Sequence, residues 1–152
     1  MNINTHLKNK WNLWFHHEKD NWKISGYNNF YEIKTVGEFW SFYNNWNKVG
    51  NVTNKHFFIM KEDITPIWED PINIYGGCWS FKINEEHAGD LWEDLSVYLV
   101  TEQLCQTISD EIVGLSICLK KNNSLKLIHE NILKKWGTDI IYIAHMPDNQ
   151  KN

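Results

Sequence analysis

The chain contains no arginine. All fifteen of its basic residues are lysine, so an anionic ligand meets ammonium point charges and never a bidentate guanidinium fork. Cysteine is scarce. Cys78, Cys105 and Cys118 are odd in number and widely spaced, with no Cys-x-x-Cys pair. That excludes a fully paired disulfide framework and a cysteine-based zinc module, and reduced thiols are expected. Long apolar runs are missing too. The opening Met1-Asn2-Ile3-Asn4-Thr5-His6 carries no apolar signal region, and no segment approaches membrane-spanning length. The expectation is a soluble, cytoplasmic protein. An excess of positive charge is also absent. The net charge of −4 argues against a broad phosphate-neutralising surface for nucleic acid, but not against recognition of one nucleotide or one chain end.

What is abundant is tryptophan. Nine indoles in 152 residues, with seven Phe and six Tyr, exceed what one core needs. Trp11, Trp14, Trp46, Trp79, Trp92 and Trp136 are expected in the core. Two others stand apart. Trp22 sits in the polar stretch Lys19-Asp20-Asn21-Trp22-Lys23, and Trp68 is followed directly by Glu69 and Asp70. An indole face stabilises a cation, and a carboxylate accepts hydrogens from a base edge. The pair therefore suits a flat, cationic aromatic base. His16-His17 does not make a metal site, because adjacent strand residues point apart. No acidic metal cluster, nucleophile–base pair or phosphate-cradling glycine loop is visible. No enzyme, cofactor or metal is expected.

The length suits a single domain, placed at 6–147 with flexible ends at 1–5 and 148–152. Alternation of Trp11, Leu13 and Phe15, with Trp14 opposite, predicts a strand near 7–15, and residues 16–29 look like a polar loop. Thr35 and Glu38 form a capping box for a helix over 36–46. Strands are predicted at 56–60, after Gly76-Gly77, at 112–120 and at 140–145, with a long loop over 61–75. The repeat Leu91/Trp92, Leu95, Tyr98/Leu99 predicts a second helix over 87–104. Residues 124–136 admit two readings. A hairpin turn at 121–124 followed by a strand is one; the stripe Leu125, Ile128, Ile132, Leu133 and Trp136 makes the helix the favoured one. Strands on one sheet with helices covering one face make the fold class α+β.

These blocks, in this order, resemble the cap-binding translation initiation factor 4E family. The match runs from His6 to about Pro147. It is carried by His6-Leu7 through Trp11 and Trp14-Phe15, by Thr35-Val36-Gly37-Glu38-Phe39-Trp40, and most specifically by Pro66-Ile67-Trp68-Glu69-Asp70 with Gly76-Gly77-Cys78-Trp79. The resemblance implies a curved antiparallel sheet with helices on the convex face and a cap slot on the concave face. It implies that Trp22 and Trp68 sandwich 7-methylguanine while Glu69 accepts the hydrogens of its N1 and N2. It also implies a dorsal site for a helix of a scaffold factor or repressor, to which His6, Leu7, Val36 and Trp40 correspond. The protein is then a monomer outside its complex.

The departures fall on the phosphate side. Cys78 stands where the family carries an arginine, and Lys120 corresponds to its next basic residue. Lys82, Lys121 and Lys126 are further candidates. A family tryptophan near the methyl group is His129 or missing. The family's C-terminal loop has no counterpart, so a weaker triphosphate grip is expected. On the dorsal side Gly37 replaces an acidic residue and Glu93 an apolar one, which fits a dedicated, non-standard partner. Such departures suit a divergent member from a large DNA virus or an A/T-rich protist. The implied function is recruitment of capped mRNA for translation initiation. A cap-sequestering repressor would use the same pocket, and an aromatic carbohydrate-binding module is the reading from another class.

Overall fold

The computed structural model describes residues 2–18, 20–46, 56–82, 85–104, 112–118, 124–126 and 140–145, with the backbone alone at 81–82, 85–86, 124–126 and 140–143. Seven strands are β1 His6–His16, β2 Tyr27–Thr35, β3 His56–Lys61, β4 Gly77–Lys82, β5 Gly114–Cys118, β6 Ser124–Lys126 and β7 Ile140–Ala144. Two helices are α1 Val36–Asn44 and α2 Glu85–Val100. The strands form one sheet in the order β2-β1-β3-β5-β6-β4-β7, and every pair is antiparallel.

Period-two alternation sorts the side chains between the two faces. On β1 and β3, Trp11, Leu13, Phe57 and Ile59 are buried in the core. Their neighbours pair on the other face, with Trp14 opposite Phe58 and His16 opposite His56. The core face is covered by α2, whose Ala88, Leu91, Trp92, Leu95 and Leu99 recur at helical spacing and are buried. The α1 side chains Phe39 and Phe42 join them. Tyr43 ties the helices together, donating to the Ser96 hydroxyl, which donates to the Trp92 carbonyl at 2.6 Å.

The capping box is present. Glu38 N–H donates to Thr35 Oγ1, and Thr35 N–H donates back to Glu38 Oε2, each at 3.2 Å. The next orphan amides of α1 are met by the N-terminal residues. Val36 N–H donates to Thr5 O at 3.0 Å and Gly37 N–H to Ile3 O at 2.7 Å. Residues 2–5, expected to fray, are thus fastened to a helix end that needs acceptors.

Four expectations require correction. The polar loop over 16–29 runs into β2 at Tyr27, an edge strand the sequence pattern did not reveal. Ser124–Lys126 is a strand and not the start of a helix. It pairs with both β5 and β4, and without it each would present an unsatisfied edge. Residues 127–136, including His129 and Trp136, lie outside the described ones. Trp79 is 46% exposed, so it is not a core residue. Trp14 is half-buried on the face opposite the helices, because it alternates with Trp11, Leu13 and Phe15.

Candidate functional site

The sheet face opposite α1 and α2 carries a slot of about 440 Å³, within the roughly 300–1,000 Å³ usual for small-ligand sites. Phe58 and Met60 of β3 and Ser116 of β5 form part of its base, and Trp22 and Trp68 line it from two loops. Trp22 and Trp68 are 54% and 50% exposed. About half of each side chain is open to solvent, which core packing alone does not explain.

The Trp22 loop is built around Asn21. Its side-chain amide donates to Glu18 Oε2 and Ser25 Oγ at 2.7 and 2.9 Å, and its Oδ1 accepts from Lys23 N–H at 3.0 Å. His16 Nε2 donates to the Asn21 carbonyl at 2.7 Å, and its ring stacks on Trp22 at 4.1 Å and 14°. One indole face is therefore occupied by His16. Gly26 closes the loop; a Cβ there would overlap the Asn21 carbonyl oxygen. Aromatic contacts continue inward from His16 to Tyr27 at 4.8 Å and from Tyr27 to Phe58 at 5.6 Å.

The Trp68 loop is held by Asp70 and Asn73, both buried. Asp70 Oδ2 accepts from Thr65 N–H at 2.9 Å and Thr65 Oγ1 at 2.8 Å, and its Oδ1 accepts from Ile72 N–H at 2.9 Å. Asn73 Nδ2 donates to the Thr65 and Ile67 carbonyls, each at 2.9 Å. Burial by itself raises the Asp70 carboxyl. The hydrogen bonds from Thr65 and Ile72 together outweigh it and hold the group below the usual carboxylate range. Two carboxylates adjacent in sequence thus divide the work: Asp70 folds the loop inward, while Glu69 remains exposed beside Trp68. Glu69 is not part of the slot wall, but its charge reaches Tyr27, which is. Burial first, and Glu69 second, push the Tyr27 phenol up to about 12, so it stays neutral.

The phosphate-side candidates are less defined. Lys120 and Lys121 lie outside the described residues. Lys82 and Lys126 are placed by backbone only: Lys82 opposite Ser124, and Lys126 opposite both Ser80 and Ser116. Level with Ser116, position 126 lies beside a slot residue.

The dorsal candidates do come together. His6 pairs with Thr35, the residue before Val36. Leu7 packs against the core, and Trp40, one turn beyond Val36, is 39% exposed and packs edge-on to Phe39 at 5.0 Å. Glu93 is half-buried on α2. This surface lies on the helix side of the sheet, across from the slot.

Sequence reasoning missed Tyr27, His56, Asn73 and His145 as slot residues, and His16 as the ring that backs Trp22. His145, just after β7, reaches Cys78 of β4, its Nε2 at 3.1 Å from the thiol sulfur. The β3 alternation could have assigned Phe58 and Met60; nothing local marks His145, whose role comes from strand pairing.

The family model of eukaryotic initiation factor 4E matches residues 6–141. The chain belongs to that family. A translation initiation factor NCBP of Oryza sativa subsp. japonica is 34% identical over 109 residues, covering 70% of this chain and 43% of that protein. Translation initiation factor 4E-1 of Phaseolus vulgaris is 30% identical over 153 residues, covering 90% and 65%. The chain spans about half the length of the curated relatives it matches, from 42% to 55% of the first three. Among solved structures, C. elegans eIF4E-3 in complex with the 4E-binding protein Mextli and a cap analog superposes with a TM-score of 0.82 at 22% identity, covering 97% of this chain and 96% of that one. Ascaris suum eIF4E-3 with an m2,2,7G cap gives 0.78 at 21%, covering 99% and 96%. Those similarities establish the 4E fold. No helix among the described residues is long and apolar enough to cross a membrane.

Proposed function

We propose that this 4E-family chain binds the 7-methylguanosine cap of mRNA and delivers it to translation initiation through a partner helix. The observation that carries the reading is one slot flanked by two half-exposed indoles, Trp22 and Trp68, with the Glu69 carboxylate near enough to act on Tyr27. Methylation at N7 makes the base cationic. Indole faces and a carboxylate favour that form over the neutral base. Relatives solved with cap analogues and 4E-binding proteins support the same assignment.

In this reading residues 6–147 are one cap-binding domain, a cytoplasmic binding protein and not an enzyme. Lys120, with Lys82, Lys121 and Lys126, meets the phosphates. His6, Leu7, Val36 and Trp40 receive the partner helix, whether it belongs to a scaffold factor or a repressor. Titration of intrinsic tryptophan fluorescence with 7-methyl-GTP and with GTP tests the cap assignment. Strong quenching by the methylated nucleotide alone is expected, and equal affinity for the two would overturn it.

A further inference from the structure

Cys78 lines the slot on β4, and His145 directly follows the partner strand β7. Gly77 pairs with Ala144 and Cys78 with Ile143, which makes Cys78 and His145 diagonal neighbours on one face of an antiparallel pair. His145 N–H donates to Gly76 O at 2.9 Å, fixing the backbone at the strand end. The imidazole is fixed as well. Its Nδ1 lies 2.6 Å from the Asn73 carbonyl oxygen, which can only accept, so Nδ1 carries the hydrogen. In the neutral ring Nε2 then bears the lone pair, and Nε2 faces the Cys78 sulfur at 3.1 Å. The thiol is the donor and the imidazole the acceptor. The carbonyl that orients the ring belongs to Asn73, the residue that also holds the Trp68 loop.

We propose that Cys78 and His145 form an activated thiol on the wall of the slot, a site of oxidation by hydroperoxides. His145 Nε2 takes the thiol proton, and the thiolate is the nucleophile. Its sulfur attacks one oxygen of the peroxide. An S–O bond forms, the O–O bond breaks, and the leaving oxygen takes the proton back from the imidazolium. With hydrogen peroxide the products are the Cys78 sulfenic acid and water, the sulfur losing two electrons and the peroxide gaining them. Cys118, buried on β5, has no such access. The added oxygen projects into the slot and obstructs whatever binds there. That last effect rests on the cap-binding reading; the thiol chemistry does not.

The experiment exposes the purified chain to hydrogen peroxide in the presence of dimedone and locates the adduct by peptide mass spectrometry. Cys78 is expected to be labelled about tenfold faster than Cys118, and His145→Gln to slow Cys78 labelling by a similar factor, since an amide accepts a hydrogen bond but takes no proton. Equal labelling of Cys78 and Cys118 in the wild-type protein overturns the proposal without recourse to any variant. A His145→Gln protein with unchanged melting temperature and unchanged Cys78 labelling overturns it as well. In a parallel arm, peroxide-treated and untreated wild-type protein are compared for 7-methyl-GTP binding, and Cys78→Ser is compared in the same way. Treatment is expected to lower binding in the wild type and to change nothing in Cys78→Ser. If the untreated protein fails to bind 7-methyl-GTP, the cap assignment falls while the labelling result still decides the thiol.

Discussion

Trp22 and Trp68 are costly residues to leave half in solvent, and each is held in that position by buried neighbours. Trp22 rests on His16, and Trp68 is carried by a loop that Asp70 cross-links from inside. Removing either indole is therefore expected to cost base stacking with little change in fold. Trp22→Ala and Trp68→Ala should each weaken 7-methyl-GTP binding by about 1–3 kcal/mol in calorimetric titrations. Near-native affinity in both would place the ligand elsewhere. Asp70 gives a different signature. Its folded value is depressed, so its contribution is fully present above the ordinary carboxyl value of about 3.9 and is lost as the pH falls through the lower, folded value. Wild-type protein should melt above Asp70→Asn at neutral pH, and the gap should close in acid. A gap that widens on acidification would contradict the hydrogen-bonded carboxylate. The sequence marked Trp68 and Glu69 through their adjacency but assigned Asp70 no part in holding the loop. Its three donors are supplied by the loop's own backbone and Thr65, which no spacing rule announces.

Secondary structure was most legible where one face is apolar and the other is not. Helix α2 is of this kind, strand β3 stands out instead as a short run with apolar residues on both faces, and the bounds of both fall close to those the sequence predicts. The pattern was weakest at the sheet's edges and short strands. Strand β2 has one partner, β1, and its Asn28, Asn29 and Glu32 are exposed, so its alternation is blurred; register shifts in the β1–β2 pair blur it further. Strand β6 is three residues long, too short for any period to show. The start of α1 is the opposite case, since the capping box was fully written in Thr35 and Glu38. Thr35→Ala is expected to lower stability by about 1 kcal/mol in denaturant titrations. What the capping box did not reveal is the strap of residues 2–5 over the same turn. A Cβ on Gly37 would lie 2.8 Å from the Ile3 carbonyl oxygen, too close for both to stay. Gly37→Ala should lift the strap and speed hydrogen exchange at the Val36 and Gly37 amides; unchanged protection would mean the strap is not held there.

At the scale of the whole molecule the sheet separates two surfaces. The slot lies on one face, and Val36 and Trp40 lie on the helix side of the other. Tryptophan content alone could not allocate the indoles between them. The sequence has the same residue type buried at Trp11 and Trp92, exposed in the slot at Trp22 and Trp68, and exposed on α1 at Trp40; strand and helix periods place Trp11, Trp92 and Trp40, while the polar stretch around Trp22 and the two acids after Trp68 set those loop indoles apart. The separation has a functional consequence. A partner helix that docks on Val36 and Trp40 buries apolar surface at one turn of α1, and an exposed tryptophan at the centre of such a contact carries about 2–4 kcal/mol of it. Trp40 packs edge-on to buried Phe39 and contributes no atom to the slot wall. Trp40→Ala should therefore abolish capture of a helical 4E-binding peptide in a pull-down while leaving 7-methyl-GTP affinity within about twofold. Retention of the peptide would place the docking surface elsewhere. Loss of cap binding in a variant whose circular dichroism is native would mean that the two faces are coupled through the sheet and do not act as independent sites.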